Sequence, residues 1–284
     1  MTVVLRLIHF AAAMAAFGTA AFCLYVPGHD AAFDRWLSRL IRAAAAVALV
    51  AAIALVPATA AEMAGSTAAG LDPATLRTVI ADTAFGHVWC WHLGFAAALL
   101  VAAIGRPGAL VLALSGLSLA TLAFTGHAAM MGGLAGLGHE INQTLHLLAA
   151  GAWLGGLMPL YALLRRTSPG DPTISEAVAH FSQMGYAAVA IIAVTGVINS
   201  CLLVHSFAGL TGTAYGRLLA VKIALYGIMV AIALVNRLRL APRLARGHAV
   251  LARRVLAEQA LGLAILAVVS VLGTWPPAAM GHAM

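Results

Sequence analysis

The sequence predicts an all-α polytopic membrane protein, an eight-helix transmembrane bundle with both chain termini on the periplasmic side. Three observations predict this fold class. Hydrophobic residues make up 63% of the 284 residues and charged residues only 9%, whereas soluble domains carry about a quarter charged residues. The mean hydropathy is +0.98. The apolar residues also fall into long runs, and a spanning helix needs roughly 20 of them in succession.

Eight apolar runs are predicted as the spanning helices of a single transmembrane domain, residues 1–284. Their approximate bounds are 3–26, 37–61, 84–104, 108–129, 140–164, 176–205, 216–240 and 250–275. The first run lacks a small-residue cleavage site, so we expect a retained helix rather than a removed signal peptide. Residues 62–83 form the longest polar connection, and we expect a short interfacial helix there.

Basic residues predict the orientation of the bundle. Most of the 16 Lys and Arg residues lie in the first, third, fifth and seventh loops. The positive-inside rule puts these loops in the cytoplasm, and the chain in a bacterial inner membrane with both ends outside. The net charge of +7 therefore reflects basic residues that set the membrane topology. We expect membrane lipid around the chain and no nucleic-acid partner.

Two cations, Arg217 and Lys222, stand against that rule at the outer end of the seventh span. Two interpretations remain open from the sequence. The cations either pair with the acidic residues on the same side, or they bind an anion or the acidic surface of a partner. The acidic residues in question are Glu62, Asp82 and Glu140.

Potential metal ligands gather at the break between the fourth and fifth spans. His127, Met130, Met131 and His139 lie within a Gly-rich stretch there. Imidazole and thioether are ligands that suit copper, and thioether favours Cu(I). The alternative is that the histidines cap helices or contact headgroups while the methionines fill gaps between helices.

Further histidines fall at two depths below the same side of the membrane. At about 1.5 Å per residue, His9, His92 and His146 lie roughly 10 Å below the starts of their spans and form a predicted inner layer. His87 joins His127 and His139 in a predicted outer layer. The candidate copper ligands are therefore His127, His139, His146, His87, His92, His9, Met130 and Met131. The tail residues Met280, His282 and Met284 are a candidate copper-collecting segment.

A polar stripe leads inward along the fifth span. His139, Asn142, Gln143 and His146 follow the i, i+3, i+4, i+7 spacing that keeps side chains on one helical face. Polar groups without partners in hydrocarbon are costly. The stripe is therefore predicted to face the interior of the bundle.

Several motifs, in their order and spacing, resemble those of the CopD/PcoD family of bacterial inner-membrane copper-resistance and copper-import proteins. The motifs are Gly126-His127-Ala128-Ala129, the run from His146 to Leu157 with Trp153 inside it, His180-Phe181-Ser182, Val194-Thr195-Gly196-Val197, Tyr215 to Lys222, Asn236-Arg237, and Arg253-Arg254 through Glu258. The resemblance implies eight helices, periplasmic termini and copper handling. It also implies a separate periplasmic copper-binding partner of the CopC type, since no such domain is fused here.

Three functions stay open at this point. The first is a non-enzymatic permease that takes copper from the periplasm into or across the membrane. The second is an electron-transfer protein with haem b held between helices by paired histidines such as His92 and His146, or a related membrane oxidoreductase. The third is a protein that holds copper without transporting it. The copper oxidation state and a homodimeric assembly are left open as well.

Overall fold

The computed structural model describes residues 1–26, 30–125, 132–168, 171–204 and 206–276, apart from the side chains of residues 207, 243, 245 and 246. These residues form ten α-helices and no strand. The helices are α1 Thr2–Tyr25, α2 Ala31–Met63, α3 Pro73–Asp82, α4 Ala84–Ala102, α5 Ala109–Thr121, α6 Gly133–Arg166, α7 Pro172–Val204, α8 Phe207–Gly212, α9 Ala214–Val235 and α10 Leu244–Leu272.

The all-α, polytopic prediction is confirmed. In the described ranges, 7 helices are long and apolar enough to cross a membrane, namely α1, α2, α4, α6, α7, α9 with the π-helical turn that follows it, and α10. The fourth predicted span, 108–129, corresponds to a shorter apolar helix, Ala109–Phe124. The α-helical part ends at Thr121 because the next backbone N–H, that of Leu122, bonds to the Leu119 and Ala120 carbonyls and the chain tightens into a 3₁₀ turn.

Helix α6 begins at Gly133, seven residues before the predicted start of the fifth span at 140. The glycines of this stretch predicted a loop because glycine lowers helix propensity. In the structure they are part of the first turns of a 34-residue helix. His139 consequently lies about 9 Å below the start of its helix rather than at its mouth.

Helix α1 is central and packs against α2, α5, α6 and α10. Its closest approach is to α6, where Gly18 lies against the backbone of Gly151 and Gly155. A Cβ atom on Gly155 would collide with the Met14 backbone. Small residues at such a crossing let two membrane helices pack backbone to backbone, so the glycines fix the position of α1 and of every side chain it carries.

A short helix, α3, lies between the second and third spans, where the sequence predicted a short helix. Asp72 caps its N-terminus, accepting hydrogen bonds from the Thr75 backbone N–H and the Thr75 hydroxyl, each at 2.8 Å. These hydrogen bonds favour the carboxylate and hold the pKa of Asp72 below its ordinary value. Helix α3 then packs tightly on α4, since a Cβ on Gly86 would collide with the Val79 and Ile80 carbonyls.

Candidate metal centre

Two predicted ligands, His9 on α1 and His92 on α4, lie in direct ring contact. Both side chains are fully buried, and their ring centroids are 4.9 Å apart in an edge-to-face arrangement. Trp89, one turn before His92, stacks on the His92 ring at 4.7 Å and contacts His9 at 5.9 Å. The three rings therefore form one compact aromatic cluster between α1 and α4.

A backbone carbonyl on α2 fixes the orientation of His9. The Nδ1 atom of His9 lies 2.9 Å from the Ala48 carbonyl oxygen, and Trp89 Nε1 donates to the Ala52 carbonyl at 3.0 Å. Side chains reach these carbonyls because this face of α2 carries small alanines. A carbonyl oxygen only accepts, so His9 Nδ1 carries the proton and Nε2 keeps its lone pair.

The end of α5 fixes His92 in the same tautomer. His92 Nδ1 lies 3.0 Å from the Ser118 carbonyl oxygen and 2.7 Å from Thr121 Oγ1. The Thr121 hydroxyl already donates to the Ser118 carbonyl at 2.7 Å, so it acts as an acceptor towards His92. The Ser118 carbonyl is available because the Leu122 N–H bonds to Leu119 and Ala120 instead.

The two Nε2 atoms are thus buried lone pairs with no hydrogen-bond partner in the described part of the chain. A buried polar atom without a partner costs about 1–3 kcal/mol, and such a cost is expected at a ligand site. Histidines that bind metals typically donate the other ring N–H to a carbonyl or carboxylate. Within the described ranges no group of three or more His, Cys, Asp and Glu side chains converges, and His9 and His92 are two candidate ligands in direct ring contact.

The polar stripe of α6 faces the bundle interior, as predicted. His139, Asn142 and His146 are buried and meet two polar residues of α7. Asn142 Nδ2 donates to Asn199 Oδ1 at 2.8 Å and to the Thr195 carbonyl at 3.1 Å. Thr195 and Asn199 lie one turn apart on α7, and the sequence reasoning did not assign them to the site. Their signal was two polar residues at i, i+4 inside an apolar span.

The two stripe histidines are also each held by one ring nitrogen. His146 Nδ1 lies 2.9 Å from Thr195 Oγ1, which donates its own proton to the Ile191 carbonyl at 2.6 Å. His146 therefore donates from Nδ1 and keeps the lone pair on Nε2. His139 Nε2 donates to Asn199 Oδ1 at 3.1 Å, and its buried Nδ1 has no partner among the described residues.

His146 borders two adjoining cavities. The first, which we call the end cavity, has a volume of about 190 Å³ and lies where α1 begins, with Arg6, His139 and Tyr215 in its wall. The second, the side chamber, has a volume of about 360 Å³ and lies among α6, α7, α9 and α10. Met14 and Lys222 border both cavities beside His146. Met14, a thioether near a histidine, was not selected from the sequence because it lies alone in an apolar run.

The structure does not bring all predicted ligands together. His87 is exposed at the start of α4, with its Nε2 2.7 Å from the Ala81 carbonyl oxygen, whereas His139 is buried against α7. His92 and His146, considered as a haem pair, contact different partners, α1 and α5 for the first and α7 for the second. The remaining predicted ligands lie outside the described residues: His127, Met130, Met131, Met280, His282 and Met284.

Arg217 and Lys222, the two cations that the sequence placed against the positive-inside rule, make no ion pair with any described residue. Arg217 is exposed. Lys222 is half-buried about 12 Å into α9, and it borders both cavities beside His146. The proposed pairing with Glu62, Asp82 or Glu140 is therefore not seen, because the Lys222 side chain borders the cavities instead.

Comparison with known proteins identifies the family. Residues 1–137 match the family model described as "Copper resistance protein D-like, N-terminal domain", and residues 175–272 match "Copper resistance protein D". His9 and His92 lie within the first match, and Thr195, Asn199 and Lys222 lie within the second. The stripe histidines of α6 fall between the two matches. No solved structure matches the chain at a significant level.

Three curated relatives support the assignment. Inner membrane protein YebZ of Escherichia coli (strain K12) is 31% identical over 287 residues, covering 97% of this chain and 98% of the relative. Copper resistance protein D of Pseudomonas syringae pv. tomato is 35% identical over 58% of this chain and 57% of the relative. Copper transport protein CutJ of Bacillus subtilis (strain 168) is 29% identical over 75% of this chain and 40% of the relative. With its apolar helices, the chain thus belongs to the copper resistance protein D family of multi-pass inner-membrane proteins.

Proposed function

We propose that the protein is a non-enzymatic copper permease that takes copper from the periplasm into or across the inner membrane. The names of two relatives, copper resistance protein D and copper transport protein CutJ, support a role in copper handling. The observation that carries the proposal is the enclosed pair of His9 and His92, whose Nε2 lone pairs are buried without partners while each Nδ1–H is held by a carbonyl.

The environment of the pair favours Cu(I) over Cu(II). Two neutral imidazoles supply lone pairs but no negative charge to offset the metal. Taking an ion out of water costs free energy that rises with the square of its charge, and this cost is already large for a single charge. A monovalent copper ion therefore enters the enclosed contact between α1 and α4 at a much lower cost than a divalent one.

The stripe on α6 supplies the step before the enclosed pair. His139 and His146 border the end cavity with one ring nitrogen anchored and the other without a hydrogen-bond partner among the described residues. Met14 adds a thioether at the same cavities. Copper reaches the end cavity from the sequence-predicted outer ligands, which receive it from a separate periplasmic CopC-type partner. Those outer ligands are His127, Met130 and Met131, with the tail residues Met280, His282 and Met284.

The test is the copper content and absorption spectrum of protein purified after growth in copper. We expect near-stoichiometric copper, and a loss of at least about tenfold in Cu(I) affinity in His9→Gln and His92→Gln. His87→Gln is the matched control on the same helix as His92. His87 was predicted as an outer ligand, but it is exposed and its Nε2 bonds to the Ala81 carbonyl, so the enclosed pair should bind copper without it. Copper binding that survives both substitutions in folded protein would remove the pair from the function.

Two other outcomes separate the alternatives. A Soret band lost in His92→Gln and His146→Gln would assign haem b to these residues and replace the copper proposal with electron transfer. Bound copper without copper flux into proteoliposomes would identify a copper-holding protein rather than a permease. Flux that stops in His9→Gln, while His87→Gln transports normally, supports the permease.

A further inference from the structure

Lys222 lies inside a transmembrane helix without a charged partner among the described residues. Cations in such positions normally pair with an acidic group or a carbonyl. Arg6, the other cation at the end cavity, follows this rule, because it donates to the Gly273 carbonyl at 3.0 Å. Lys222 makes no hydrogen bond or ion pair with any residue that the structure describes. Its ammonium group is therefore available to a ligand.

The side chamber that Lys222 borders is apolar and opens to the lipid. Val197 on α7 and Ile223 on α9 line it, and these side chains are 64% and 46% exposed on the lipid-facing surface of the bundle. Further in, Tyr226 on α9 donates to the Val189 carbonyl on α7 at 2.9 Å. This hydrogen bond joins the two helices at the chamber wall. The chamber is thus a lateral recess between α7 and α9.

The size and polarity of the chamber specify the kind of occupant. Its volume of about 360 Å³ lies within the range of small-molecule sites, about 300–1,000 Å³. Ser200 and Tyr226 direct their hydroxyl protons to the Gly196 and Val189 carbonyls. Lys222 is the one Lys or Arg among the described residues that line the chamber, and the Nε2 lone pair of His146 only accepts hydrogen bonds, so Lys222 is the group that attracts an anion. Such a site takes a molecule with one compact anionic head and an apolar chain.

We infer that the side chamber binds a long-chain carboxylate, with its head at Lys222 and its chain between α7 and α9. The carboxylate supplies the negative charge that Lys222 lacks, and it enters from the lipid without crossing water. It also offsets the positive charge beside His146, which otherwise disfavours a metal cation there. The inference does not rest on the proposed copper function, because the site is defined by Lys222 and the apolar walls alone.

The test uses purified protein in a neutral detergent and palmitic acid carrying a mid-chain diazirine as the photolabel. We expect labelling of α7 and α9 around Val197 and Ile223, located by peptide mass spectrometry. Lys222→Met should lower the labelling by at least about tenfold, because a desolvated charge contact is lost. Arg217→Met is the matched control, since it removes an exposed cation from the same helix and should label like the wild type. Ile223→Trp, which fills the chamber and leaves the charge in place, should also lower the labelling.

Competition identifies the head group. The diazirine methyl ester, which has the same chain but no charge, should label at least about tenfold less than the acid. Equal labelling by acid and ester, or unchanged labelling in Lys222→Met, would overturn the inference. Displacement by ubiquinone as effective as by unlabelled palmitate would assign the chamber to a neutral quinone instead. Displacement by sodium acetate at equal concentration would reduce the site to one for small anions and also overturn it.

Discussion

His92 and His146 are held by the same local device in two different surroundings. Each ring meets the hydroxyl of a threonine that donates its own proton to a backbone carbonyl, so each keeps a lone pair on Nε2. His92 is fully buried against His9 and Trp89, whereas His146 borders two cavities. His92 and His146 therefore have the same tautomer, and they differ in whether a cavity gives a ligand access to the ring. This difference favours the α6 stripe as the loading region and the enclosed pair as the holding region.

The largest effect should come from the glycine crossing that both regions share. A Cβ on Gly155 collides with the Met14 backbone, and α1 carries both His9 and Met14. Gly155→Ala is therefore expected to lower the free energy of unfolding by about 3 kcal/mol, the upper part of the range for overpacking. Copper binding at both regions should fall together. The loss of stability is measured by heating the purified protein and determining the folded fraction by size-exclusion chromatography.

Gly94→Ala is the matched control for that substitution. A Cβ on Gly94 meets nothing within 4 Å, and alanine in a helix interior is favoured over glycine by roughly 0.5–1 kcal/mol. The control should be as stable as the wild type or slightly more stable. If Gly155→Ala unfolds at the same temperature as Gly94→Ala, the crossing does not hold the two regions in place.

A smaller effect, confined to the stripe, is expected from Asn199→Leu. The Asn199 side chain bonds to Asn142, His139 and Gln143 of α6. Its replacement leaves these groups without their partner, at a cost of about 2 kcal/mol in unfolding free energy. Copper should still bind the enclosed pair at equilibrium but load more slowly, as followed by stopped-flow competition with a Cu(I) chelator.

Ser200→Ala serves as the neighbouring control. In the described part of the chain its hydroxyl bonds within α7 alone, to the Gly196 carbonyl, so its loss should change neither stability nor loading rate appreciably. Loading in Asn199→Leu at the wild-type rate would break the division between a loading and a holding region.

Thr121→Val tests the enclosed pair without touching its rings. The substitution removes the hydroxyl that accepts from His92 Nδ1 and leaves the Ser118 carbonyl in place. Outer groups that orient a metal-binding histidine are typically worth 10–100-fold in affinity, and with one acceptor retained we expect about tenfold. The Cu(I) dissociation constant, measured by chelator competition, reports it. Thr125→Val is the control, because among the described residues its hydroxyl bonds to the nearby Leu122 carbonyl alone, and an equal loss there would contradict the assigned role of Thr121.

The sequence predicted the spans and the inward-facing stripe because both depend on local periodicity. Apolar length identifies a transmembrane helix, and the i, i+3, i+4, i+7 spacing from His139 to His146 is a property of one helix alone. The sequence placed His9 and His92 at the same depth but did not predict that their rings touch, because this contact depends on how α1 crosses α4. Ala48 and Ser118 fix the tautomers through their backbone carbonyl oxygens, and a backbone carbonyl is present at every residue, so the sequence does not single them out. They become part of the site only when packing brings their backbone close to a histidine ring.

Lys222 shows a different limit of sequence reasoning. Its position against the positive-inside rule was visible, and both an ion pair and an anion site were considered. Charge alone did not choose between them, since the acidic residues on the same side were equally available in the sequence. The structure decides against the ion pair among the described residues, because the helical phase of α9 directs Lys222 towards the cavities.

The smallest expected effect concerns pH and the short helix α3, which leads into the helix of His92. The pKa of Asp72 is lowered in the folded state by its hydrogen bonds to Thr75. Its contribution to α3 is therefore fully present above the ordinary carboxyl pKa of about 4 and is lost as the pH falls through the lowered value. The Thr75 amide, measured by hydrogen exchange and corrected for the intrinsic rate, should lose protection in that acid range.

Asp72→Asn keeps a side-chain oxygen to cap the helix but cannot titrate, so the protection of the Thr75 amide in this variant should not change over the same range. His92 lies beyond this helix and is held by α1 and α5, so the protection of α4 around it should stay constant in both proteins. If the amides around His92 lose protection together with the Thr75 amide, the enclosed pair depends on the junction between α3 and α4. It is then less isolated from the membrane surface than its burial indicates.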